Sequence, residues 1–96
     1  MELETKAWQV EKTNNNKVLY QMQIDQIAGK RARNKILKFV KDWQLVGDGY
    51  TPNTKTFLLI LSREFNSVKD WVSWAKQFPY EVQELNRNDK VKAIYN

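Results

Sequence analysis

The nine residues Thr54 to Ser62, TKTFLLILS, constrain the fold of this chain more than any other stretch. Phe57, Leu58, Leu59, Ile60 and Leu61 follow one another without a polar interruption. A run this short, bounded by turn residues, fits a buried strand better than a helix. Gly47, Asp48, Gly49, Pro52 and Asn53 precede it, and a capped helical pattern follows it. A strand that is apolar on both faces needs a cover on each side. The run is therefore expected at the centre of a sheet.

The flanking segments supply the rest of that sheet. Thr5 to Thr13 alternates, with Trp8 and Val10 expected on the apolar side. Asn14, Asn15 and Asn16 suit a hairpin turn, because Asn tolerates left-handed backbone. In Lys17 to Asp25, Val18, Tyr20, Met22 and Ile24 point one way, and Leu19, Gln21, Gln23 and Asp25 the other.

A first helix is expected from Asp25 or Gln26 to about Trp43. Ala28, Ala32, Ile36, Phe39, Val40 and Trp43 fall within an arc of about 120° on a helical projection. Gln44 to Tyr50 is compatible with a second, irregular strand. The second helix has clear boundaries. Asn66 or Ser67 can cap it, Asp70 suits the positive end of its dipole, and Pro79 stops it. Val68, Trp71, Val72, Ala75 and Phe78 form its apolar stripe. Tyr80 to Leu85 and Val91 to Tyr95 then form a closing hairpin around Asn86 to Asp89.

This order implies one α+β domain over residues 1–96, with a mostly antiparallel sheet and both helices on one face. It resembles the ferredoxin-like split β-α-β sandwich with an extra N-terminal strand. An RNA-recognition motif shares that broad topology, but its third-strand pattern alternates aromatics with Gly or Ala. Lys55-Thr56-Phe57-Leu58-Leu59-Ile60 has one aromatic and no Gly, so the chain departs from that motif.

Composition narrows the chemistry. The chain has no Cys and no His, which removes thiolate nucleophiles, the commonest general base and the commonest zinc ligands. No pair of carboxylates has a spacing that asks for an enzyme, so neither catalysis, a cofactor, a metal nor a small-molecule substrate is expected. Asp42, Asp48, Glu64 and Asp70 match no calcium loop. Gly47-Asp48-Gly49-Tyr50 leads into Pro52 and a strand rather than a helix, and so fits a turn better than a phosphate cradle. The N-terminus has no apolar segment of signal-peptide type, and no run approaches the roughly 20 apolar residues of a membrane helix. A cytoplasmic protein without a membrane partner is expected.

Charge supplies the main functional expectation. Lys30, Arg31, Arg33, Lys35, Lys38 and Lys41 put six cations and no carboxylate between residues 30 and 41, against a net +5 for the whole chain. All but Arg33 project within roughly 140° opposite the apolar stripe. Such a face can follow a phosphate backbone of RNA or DNA. A solvated face kept basic for solubility accounts for the same residues. The rival expectation is a regulator or inhibitor, of phage or mobile-element type, docking on an acidic protein surface. Trp74, at the edge of its stripe, is its candidate anchor. Phe57, Leu59 and Leu61, or alternatively Leu58 and Ile60, would then meet a partner or a second copy in a homodimer.

Overall fold

The computed structural model describes residues 3–12 and 15–95. In chain order its elements are β1 (Glu4–Lys12), β2 (Val18–Ala28), α1 (Lys30–Phe39), β3 (Gln44–Thr51), β4 (Thr56–Phe65), α2 (Val68–Gln77), β5 (Val82–Leu85) and β6 (Val91–Tyr95). The six strands form one mixed sheet in the order β3-β4-β2-β1-β5-β6. The chain is thus α+β, with two helices packed against that sheet.

The strand order differs from the ferredoxin-like arrangement. β1 is not an extra edge strand. It lies between β2 and β5, antiparallel to the first and parallel to the second. Chain connectivity gives the reason. The short β1–β2 connection lets β1 take the free edge of β2. When the chain returns through α2 it adds to the free edge of β1. It arrives running the same way as β4, and hence parallel to β1.

The strand predicted at the centre is an inner strand but not the middle one. β4 pairs with edge strand β3 on one side and with β2 on the other. The longest strand, β2, holds the middle with β1. Its alternation is as expected: Val18, Tyr20, Met22 and Ile24 are buried and their alternates half-buried.

Both helices cover the face that bears Tyr20. The Trp71 ring of α2 stacks on Tyr20, with centroids 4.4 Å apart. On α1, Ile36 is fully buried, and the Arg33 guanidinium lies over the ring of Phe57 in β4. Phe39 meets Phe78 edge to face across the two helices. Beneath them Met22, Ile24, Leu59, Leu61 and Val82 are all but inaccessible. Each such side chain contributes about 1.5–3 kcal/mol when withdrawn from water.

Three local expectations change. The buried side of β1 is Thr5 and Ala7, while Trp8 turns to the uncovered face and Val10 is exposed. The first helix begins at Lys30, not near residue 25, because β2 continues to Ala28 through a register shift between Ile24 and Ile27. Gln26 sits in that bulge at φ 61. Phe39 is exposed rather than core, and Trp43 is buried in the turn beyond the helix. The first residue of the expected hairpin turn, Asn14, lies outside the described residues, but Asn16 has the left-handed φ of 63 that the turn reading requires.

Candidate nucleic-acid interface

The two helices each carry a lysine in the last turn but differ at the positive end of the dipole. In α2, Ser67 accepts a hydrogen bond from the Asp70 backbone N–H at 3.2 Å, Asp70 lies in the first turn and Lys76 in the last. That arrangement stabilises both ends. In α1, the N-cap is Gly29 at φ 92, no side chain caps the helix, and the first turn holds no acid. Lys30 and Arg31 stand there instead, where each cation costs about 0.3–1 kcal/mol against the dipole.

Five of the six predicted cations form the outer surface of this region. Lys30, Arg31, Lys35, Lys38 and Lys41 are exposed, and none of them is in an ion pair among the described residues. Arg33 belongs to a different environment. Its guanidinium reaches Asp48 of β3 at 3.4 Å and sits 5.6 Å from the Phe57 ring centroid. Asp48 offsets its charge, and its side chain is only 24% exposed.

The sheet register adds a cation that the linear sequence does not place with the others. Ala28 pairs with Thr56, so Lys55 lies one residue before that pair and Lys30 two residues after it. Lys55 is exposed at φ 56, a backbone region that costs a lysine roughly 1 kcal/mol or more. Its charge therefore joins the start of α1. Only strand pairing brings these two together, so no periodicity within the sequence signals it.

The residues expected at a protein interface separate. Leu59 and Leu61 are 0% and 1% exposed beneath the chain's own helices, so they offer a partner no surface. Phe57 lies half-buried at the margin. Leu58 and Ile60 face the uncovered side, where Gly47 and Gly49 of β3 stand opposite them and add no side chain. Trp74 is half-buried in an aromatic cluster. It stacks on Phe78 at 4.9 Å and on Trp71 at 6.0 Å, with Trp43 at 5.0 Å. One edge lines a shallow cleft with Arg63, Asp70 and Gln77.

The four acids do not gather. Asp48 pairs with Arg33, Glu64 with Lys17 at 3.6 Å, and Asp70 belongs to the α2 cap. No cluster of three or more metal-ligating side chains occurs among the described residues. No helix there is long and apolar enough to cross a membrane. In comparisons with known proteins, the chain matches no family model, no curated protein and no solved structure.

Proposed function

We propose that this protein is a non-enzymatic binding factor that holds RNA or DNA against the outer face of α1. The observation that carries this reading is the cationic, uncapped first turn of the helix. Solubility alone could be served by lysines anywhere on the surface. Here Lys30 and Arg31 occupy the turn where cations destabilise the helix, while α2 of the same chain places Asp70 in its first turn. A phosphate backbone laid along Lys30, Arg31, Lys35 and Lys38 compensates for that cost on binding, through contacts whose strength depends on salt.

The test uses the conflict between stability and binding. The double variant Lys30→Glu/Arg31→Glu should melt a few degrees higher than wild type, since both changes favour the dipole. It should also lose most of its affinity for an oligonucleotide. A variant with unchanged stability and unchanged affinity contradicts the proposal.

A second reading, docking on another protein or on a second copy, is favoured by the uncovered sheet face. Trp8, Leu19, Leu58 and Ile60 are half-buried there with Gln21 and Gln23 between them, and Ile94 on β6 is exposed. That mixture of apolar and amide groups suits a protein interface. An acidic partner surface would instead meet α1.

A further inference from the structure

The edge of the sheet beside α1 carries an aromatic group in a position suited to a base. Tyr50 of β3 pairs with Phe57 of β4, which pairs with Ile27 of β2, so all three belong to the helix-covered side. Ile27 is fully buried, Phe57 half-buried, and Tyr50 51% exposed. The Tyr50 and Phe57 rings are 4.8 Å apart and tilted by 46°, so Phe57 supports Tyr50 from one side. Arg33 fixes Phe57 in turn, lying over its ring while Asp48 holds the guanidinium. One step along the same ladder lie Thr51, Thr56 and Ala28, and beyond them Lys55 and the start of α1 at Lys30.

A supported, half-exposed aromatic ring two to three residues along the strands from cations is an arrangement suited to single-stranded nucleic acid. A base can stack on a side chain only if it has left its neighbours, which a duplex prevents and a single strand or loop allows. Phe39 of α1 packs edge to face on Phe78, and Trp8 is half-buried on the opposite face of the sheet from α1. Trp8 therefore cannot take a base from a strand held on α1. Arg33 is committed to Asp48 and Phe57, which makes it a positioning residue for the aromatic pair rather than a phosphate contact.

We infer that the corner formed by Tyr50, Lys55 and Lys30 seats one unstacked base of a single-stranded nucleic acid, with Tyr50 stacking on the base and the two lysines holding the adjoining phosphates. This rests on the reading of α1 as a phosphate-binding face. It narrows the ligand from nucleic acid in general to single strands or loops.

Fluorescence anisotropy with a labelled oligothymidine and with a duplex of equal length tests it. Wild type should prefer the single strand. Tyr50→Ala should weaken single-strand binding roughly tenfold, leave its salt dependence unchanged because no charge is lost, and leave duplex binding untouched. Tyr50→Trp should restore affinity, and equal melting curves for the three proteins keep the comparison free of misfolding. Equal binding of duplex and single strand, both insensitive to Tyr50→Ala, overturns the inference while the α1 reading stands. Binding of polyglutamate as tight as that of oligothymidine also overturns it, because charge alone would then suffice. Binding of neither nucleic acid at low salt overturns both readings.

Discussion

Glu84 takes a carboxylate to a position 2% exposed, between β1 and β6. A buried carboxylate is tolerated only when donors surround it. Its Oε1 accepts from Trp71 Nε1 at 2.8 Å and from the Tyr95 hydroxyl at 3.0 Å, and Lys92 Nζ lies 3.5 Å from Oε2. The residue thus ties α2 to the last two strands. Burial, then the hydrogen bond to Glu84 and its charge, push the Tyr95 hydroxyl up from 10.0 to about 12. Burial first, then Glu84 and Tyr95, push that of Tyr20 higher still. Between pH 10 and 12 the unfolded chain releases the Tyr95 proton while the folded chain keeps it, so stability must fall across that window. Tyr95→Phe should flatten the fall in a series of alkaline melts. At neutral pH it should cost about 1.5–3 kcal/mol, nearer the lower figure because the ring is partly solvated. An unaltered alkaline slope would contradict this assignment. Little of this was legible beforehand, since Val82, Gln83, Glu84 and Leu85 put one polar and one apolar residue on each face.

At the scale of elements, legibility follows how local the controlling interaction is. The alternation of β2, the Ser67 cap and the stop at Pro79 depend on near neighbours, and each is found where the residues imply. The start of α1 depends on the bulge at Gln26, and Gln carries no turn signature. Ala28 and Ala32 moreover share a helical spacing, although Ala28 ends β2 and only Ala32 lies in α1. For β1 the larger side chains suggested Trp8 and Val10 as the buried set. The positions facing Met22 and Glu84 under the helices take Ala7 instead. Neighbouring residues of β4 provide the corresponding test. Leu59→Asp should unfold the domain, because an unpaired buried charge costs several kcal/mol against a total stability of about 5–15 kcal/mol. Ile60→Asp, on the uncovered face, should leave a cooperative thermal transition. If that face seats a partner or a second copy, Ile60→Asp should also abolish association in sedimentation equilibrium. Equal melting of the two variants would mean that the two faces are wrongly assigned.

The whole molecule concentrates its positive charge on one side of one layer. The six cations of residues 30–41 stand as a run in the sequence, and five of them are exposed, four on α1 and Lys41 in the turn beyond it. The helical projection set Arg33 apart from the other five, but its partner was not legible, because Asp48 lies 15 residues away across the β3–α1 packing. Lys55 and Tyr50 joined the site only through strand pairing. If this surface holds a phosphate backbone, binding must release counterions, and the logarithm of the affinity must fall linearly with the logarithm of salt. The most direct measurement is that slope for a single-stranded oligonucleotide, taken for wild type and for Lys35→Glu/Lys38→Glu. Both side chains face solvent, so the double variant should keep its melting temperature. It should bind far more weakly at low salt, with a slope shallower by about two. Identical slopes and affinities for the two proteins would contradict the assignment of α1 as the binding face.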